Sequence, residues 1–293
     1  LALTAPSALN SPQTAIVLVN MLPRGTPPVG LINPLGLIFT SVVGATGTLS
    51  QGLTISSTGG QALQFLARAQ TQTGGAWLAV SPEQGALGSS AETATLTVQA
   101  RPSGLAAGVY LGTITLSFGT GATQEVAVAL VVAAGVPAIS SQWSAVSEQQ
   151  AATCTARRLV IVETRLGNRF SVQAGWPVPM LVETVDDCGT AVTTATVTAS
   201  FTTADPPVVF TNLRNGRYSA TWVPAAQGQV GVTIRALASG LQDGVVQFAG
   251  TLGPAGALPL VFREGWVNAA SYERFRPLAP GTIFSLFGAN LAQ

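Results

Sequence analysis

Residues 110–132 read YLGTITLSFGTGATQEVAVALVV. From Tyr110 to Phe118 the residues alternate, with Ile114, Leu116 and Phe118 on one side and Thr113, Thr115 and Ser117 on the other. A second apolar run follows from Val126 to Val132, after a glycine-rich break. Side chains on a strand point alternately to opposite faces, so this pattern predicts half-buried strands with a neutral, hydroxyl-rich outer side.

Working outward, similar runs recur at Leu37-Ile38-Phe39, Leu53-Thr54-Ile55, Leu63 to Leu66, Trp77 to Val80 and Ala94 to Val98. Gly, Pro or Ser clusters separate them at the spacing of a sandwich, so residues 35–134 are expected to form one domain. Residues 135–153 (GVPAISSQWSAVSEQQAAT) read as a polar linker. A second series runs through Leu159 to Glu163, Phe170 to Val172, Met180 to Val185, Ala195 to Phe201, Val208 to Phe210, Gly216 to Trp222, Val230 to Ala236 and Val245 to Phe248, giving a second sandwich over 154–256. Residues 1–34 hold one alternating strand, Gln13 to Val19, read as the end of a preceding repeat or as a donor strand, and a Pro/Gly-rich connector, Pro23 to Pro34. Residues 257–293 read as the beginning of a third β domain or as a strand-exchange tail. The fold class is all-β: tandem immunoglobulin-like β-sandwiches joined by short Pro/Gly-rich linkers.

Composition agrees. Hydrophobic residues make up 47 % of the 293 residues and charged residues 9 %, against about 25 % charged in an ordinary soluble domain. No apolar run approaches the roughly 20 residues of a membrane-spanning helix, so no transmembrane segment is expected. The 32 Gly and 18 Pro imply frequent turns. All 13 basic residues are Arg, scattered apart from Arg157-Arg158, and net charge is +1. Nothing here forms the basic footprint of a nucleic-acid partner. The chain begins at Leu1 without a charged-then-apolar signal segment and ends at Gln293 just after a strand-like run. It is therefore expected to be an internal or processed piece of a longer polypeptide.

Two stretches carry a specific resemblance. Trp77-Leu78-Ala79-Val80-Ser81-Pro82-Glu83-Gln84-Gly85, followed by Gly104-Leu105-Ala106-Ala107-Gly108-Val109-Tyr110-Leu111-Gly112-Thr113-Ile114, resembles the BACON-type immunoglobulin-like module over about a hundred residues. Such modules read "WL-V-P-x-x-G" and then "GL-x-x-G-x-Y-x-G-x-I". The resemblance implies a glycan as a candidate partner, with Trp77 or Tyr110 as stacking platforms. The residues themselves place Trp77 in the core, because it sits in the most apolar motif of the domain. Asn215 to Pro224 (NGRYSATWVP) is similar to an edge shared by many bacterial extracellular immunoglobulin-like domains. Val267 to Tyr272 and Leu278 to Leu291 resemble the opening of a C-terminal domain of large secreted acidobacterial proteins, and the IPT/TIG class. These resemblances imply an extracellular or cell-surface location.

The chemistry-bearing side chains are few. Histidine and lysine are absent, which removes Ser-His and Cys-His nucleophiles and a lysine base. The chain is read as no enzyme, with no cofactor and no catalytic or metal site. Among the acids only Glu183, Asp186 and Asp187 cluster; they are read as a solvated turn, with a calcium site as the alternative. Cys154 and Cys188 lie outside any CxxC and are read as a disulfide, with two free thiols as the alternative. Closing a loop of about 35 residues would add roughly 3.8 kcal/mol by chain entropy, an upper-end figure, and implies an oxidising compartment.

The functional expectation is a structural component of an extracellular or cell-surface assembly, self-associating or packing on neighbouring domains of the same protein. In its sharper form it is a filament built by head-to-tail strand exchange through Gln13, Ala15, Ile16, Val17, Leu18 and Val19, or through Ile283, Phe284, Leu286 and Phe287. The alternative is a carbohydrate-binding or adhesion module of a larger secreted protein.

Overall fold

The computed structural model describes residues 2–3, 13–14, 28–58, 61–88, 92–135, 154–254, 260–268 and 284–289. Near the start, β1 (Ala2–Leu3) and β2 (Gln13–Thr14) pair antiparallel. Of the strand expected over Gln13 to Val19, residues 15–19 lie outside the described residues.

The first sandwich runs through β3 (Gly30–Asn33), β4 (Gly36–Val42), β5 (Leu49–Ser57), β6 (Leu63–Thr71), β7 (Leu78–Ser81), β8 (Gln84–Leu87), β9 (Thr93–Ala100), β10 (Gly108–Phe118) and β11 (Thr123–Ala133). One sheet has the order β3-β5-β9-β7 and the other β4-β11-β10-β6-β8. The hairpin read at 110–132 is β10–β11, with Ile114 opposite Val126 and Leu116 opposite Gln124. The apolar halves of both sheets close over a core that includes Leu53, Ile55, Leu96, Ile114, Leu116 and Leu130. The chain passes between sheets at Asn33-Pro34 and Ser81-Pro82, both cis. The connector read over Pro23 to Pro34 thus contains a strand, β3, which its flanking prolines masked.

The second sandwich runs through β12 (Leu159–Glu163), β13 (Phe170–Gln173), β14 (Val178–Asp186), β15 (Thr196–Phe201), β16 (Val208–Val209), β17 (Thr211–Arg214), β18 (Arg217–Trp222), β19 (Gly228–Leu237) and β20 (Gly244–Gly253). Its sheets are β12-β14-β18-β17 and β13-β20-β19-β15-β16. Asn215 and Gly216 both have positive φ, 51° and 73°, as the tight β17–β18 turn requires of its central residues. The core is built around Met180, Tyr218, Trp222, Val232 and Ile234. Tyr218 keeps its hydroxyl satisfied inside it, donating to Val192 O at 3.0 Å and accepting from Ala195 N at 3.0 Å.

Both sandwiches are immunoglobulin-like and share one device. The leading segment splits between the sheets, and its second half runs parallel to the last strand: β4 beside β11, and β13 beside β20. Towards the chain's end, β21 (Leu260–Asn268) pairs antiparallel with β22 (Phe284–Ala289), across a register shift. Phe284, Leu286 and Phe287 lie in β22, while Ile283 lies outside the described residues. Among the described residues no helix is long and apolar enough to cross a membrane.

Candidate functional site

Strands β11 and β12 break the alternation that built the sandwiches. Every residue from Val128 to Ala133 is buried, and so is every residue from Leu159 to Glu163. A strand buried on both faces needs a second layer, and each sandwich supplies it to the other. Val126, Val128, Leu130 and Val132 point into the first core. Ala129 and Val131 point outward and pack with Val160 and Val162 of β12, flanked by Ile38, Val109 and Val185. Two modules of one chain are thereby joined by a buried apolar seam.

A polar rim continues the seam. Leu35 N donates to Thr164 O at 2.8 Å. Glu125, at the start of β11, accepts from Asn168 Nδ2 at 3.0 Å and faces Arg169 Nη2 at 3.4 Å. A Cβ on Gly36 would collide with the carbonyl oxygen of Glu163 and with Val162, so glycine is what lets β4 approach β12 this closely. On the far side, the Gly189 turn rests on Thr40, to which an added Cβ would come within 3.0 Å.

Glu163 is the unusual residue of the joint, a carboxylate only 3 % exposed. It accepts hydrogen bonds from Arg165 N, Leu166 N and Gly167 N at 2.6–3.0 Å, and from Leu181 N at 3.2 Å. Burial pushes its carboxyl above the ordinary carboxylate value, although these N–H groups draw it back down. A folded-state pKa above the unfolded one adds stability that is full at low pH and is lost as pH rises through the folded value. Stability is therefore expected to increase as pH is lowered from neutrality towards 4.5, and to do so less steeply in Glu163→Gln. Denaturant titrations across that range measure it; identical slopes in the two proteins would contradict the assignment.

The acidic trio does not form a cage. Asp186 is buried and accepts from Cys188 N and Thr190 N, both at 2.9 Å. Asp187 accepts from Arg157 N at 2.8 Å, and Glu183 faces Arg217 at 3.6 Å. The solvated-turn reading is thus corrected for Asp186, whose carboxylate shapes the turn from inside. Among the described residues no three His, Cys, Asp or Glu side chains gather where a metal ion could be held.

Cys154 and Cys188 form a disulfide with Cα atoms 5.7 Å apart. It ties the segment entering the second sandwich to the turn that rests on Thr40. The double variant Cys154→Ser, Cys188→Ser is expected to lose about 3 kcal/mol, read as a fall in the denaturant midpoint; an unchanged midpoint would count against any stabilising role.

The aromatic candidates are mostly structural. Trp77 is 2 % exposed, lies in the first core and donates Nε1–H to Thr73 O at 2.9 Å, which removes it as a stacking platform. The Tyr110 ring lies against Gly74, and its hydroxyl donates to Ala106 O at 2.8 Å. Trp176 is half-buried, with its Nε1 enclosed and unpartnered, and Trp143 lies outside the described residues. A shallow groove of about 710 Å³ crosses the outer side of β6, β8 and β10, lined by residues including Gln64, Leu66, Gln84, Ala86 and Ser117. It holds no charged side chain. Small residues at 85, 86, 117 and 119 make it concave.

Residues 32–133 match the family model BACON_2, described as the viral BACON domain. No curated protein matches the chain. Among solved structures, a PapD-like domain of human CEP192 is 13 % identical with a TM-score of 0.33, covering 42 % of this chain and 97 % of its own. The CsuC–CsuE chaperone–tip adhesion subunit complex of Acinetobacter baumannii is 8 % identical with a TM-score of 0.33, covering 78 % and 100 %. The fibronectin(III)-like modules of Clostridium thermocellum CbhA are 12 % identical with a TM-score of 0.27, covering 78 % and 95 %. At these scores the likeness is remote. The BACON match and the disulfide are consistent with a secreted protein.

Proposed function

We propose that this chain is a non-catalytic structural segment of an extracellular or cell-surface assembly, in which two sandwiches are locked into one rigid spacer. The observation that carries this reading is the seam, where Ala129, Val131, Val160 and Val162 are buried between modules rather than exposed as on separate beads. A linker alone would tether the modules; a buried apolar seam with a hydrogen-bonded rim fixes their angle. The edges support the same reading. The short edge strands β3, β7, β8, β13, β16 and β17 are two to four residues long, which discourages unwanted edge-to-edge pairing. The longer edge strands, β4 and β12, meet at the joint. Head-to-tail joining is accordingly assigned to the terminal segments, Gln13 to Val19 and Ile283 to Phe287. The alternative for 278–291 is the opening of a further β domain of the IPT/TIG kind, which would leave Gln13 to Val19 as the joining strand.

Electron microscopy of the native material, with immunogold labelling of the source cells, tests this. Regular surface assemblies carrying the antigen are expected, and dispersed antigen inside the cell would contradict the reading.

A second reading, a carbohydrate-binding module, has one observation in its favour: the uncharged groove with amide and hydroxyl groups from Gln64, Gln84 and Ser117. Glycan-array binding that disappears in Gln64→Ala and Gln84→Ala would support it, and silence on the array would remove it.

A further inference from the structure

We propose that the Glu163 carboxylate is the latch of the joint: it holds loop 164–169 in the shape that the first sandwich packs against, so that its removal frees the sandwiches from each other while each stays folded. The loop supplies most of the polar rim. Thr164 O accepts from Leu35 N at 2.8 Å, Gly167 lies close enough to Leu35 that an added Cβ would sit 3.2 Å from it, and Asn168 and Arg169 hold Glu125. Nothing in the loop is regular secondary structure, so its shape must come from somewhere else.

It comes from the carboxylate. Three successive backbone N–H groups, of Arg165, Leu166 and Gly167, converge on Glu163. The same carboxylate takes Leu181 N from β14, and so straps the loop to the sheet. An ionised or neutral carboxyl accepts such bonds; a methyl group leaves the donors buried and unpaired, which the loop can relieve only by moving towards water.

The joint is also where opening would begin. Each sandwich closes an apolar core of its own. Along β12 Glu163 shares the face of Leu159 and Ile161, which line the second core, while Val160 and Val162 face the seam. The seam's buried apolar set is four residues, far smaller than either core. Local openings follow the least buried apolar contact, so the seam yields before the sandwiches do. Gly36 offers an independent handle, because a side chain there meets first the Glu163 backbone carbonyl and Val162.

Amide hydrogen exchange on the full chain tests the latch. The reporter is Leu35 N–H, whose acceptor lies across the joint; Ile114 and Ile234, fully buried in the two cores, report on each sandwich. In Glu163→Ala, Leu35 exchange is expected to accelerate by about tenfold or more with Ile114 and Ile234 unchanged. Glu163→Gln, which keeps an acceptor oxygen, restores most of the protection, and Gly36→Ala reproduces the release. If Leu35 keeps its protection in Glu163→Ala, or loses it only together with Ile234, the latch is wrong and the carboxylate serves the second sandwich alone. The proposal rests on the reading of the pair as one rigid spacer. That reading fails differently, through a Leu35 amide already unprotected in the wild-type chain.

Discussion

Replacing Trp222 by alanine is expected to destabilise the second sandwich by about 4 kcal/mol. The ring is 2 % exposed. It stacks on Phe201 with centroids 4.2 Å apart and meets Phe170 edge-on at 6.3 Å, so its loss leaves a cavity that three strands would have to collapse to fill. Its polar end matters as well. Nε1–H donates to Asp205 Oδ2 at 3.1 Å, and the other oxygen of Asp205 accepts from Ala225 N at 3.0 Å. The ring thus anchors the loop after β15 to the chain leaving β18. Trp222→Phe keeps much of the ring volume and is expected to cost less than half as much. Equilibrium unfolding by circular dichroism measures both; an alanine variant within 1 kcal/mol of wild type, well below the usual range for a buried aromatic, would mean that Trp222 is not a core anchor.

Val131→Asp carries the other large effect, and its sign depends on the joint. On an isolated sandwich Val131 would lie on the outer face of β11, where aspartate is cheap. In this structure the side chain is fully buried against the second module. An unpaired carboxylate there costs about 3 kcal/mol or more, unless the sandwiches separate to let water in. Leu111→Asp, on the same face of the adjacent strand β10 but 46 % exposed, is the control and is expected to be nearly neutral. Equal stabilities for the two variants would show that the seam does not form.

The sandwiches were legible because alternation and turn chemistry agree along most strands. The disulfide followed from there being two cysteines and no histidine, and Trp77 was placed in the core from its apolar motif. Some elements gave little signal. Strand β3 sits between prolines and offers a single large apolar side chain, Ile32, on its buried face, and β17 is exposed at all four positions, so neither stands out as an alternating run. The joint was missed for a more instructive reason. Grouping Val126 to Val132 with the half-buried strands assigns it one buried side, yet its unbroken apolar character from Val128 on is the mark of a strand covered twice. Leu159 to Glu163 carries the same mark and ends in a lone acid. A carboxylate inside such a run signals buried partners, but which N–H groups supply them depends on how loop 164–169 folds back. Gly36 gave no warning, since its need for close approach exists only once β12 lies beside it.

The apolar contact across the joint can be observed directly in solution. With methyl-labelled protein, nuclear Overhauser effects are predicted between Val131 and Val160 or Val162, whose side chains share one buried cluster. Their presence would establish the two sandwiches as one body. Their absence, with each module's internal methyl contacts intact, would make this chain a flexible string of independent domains and overturn the rigid-spacer reading.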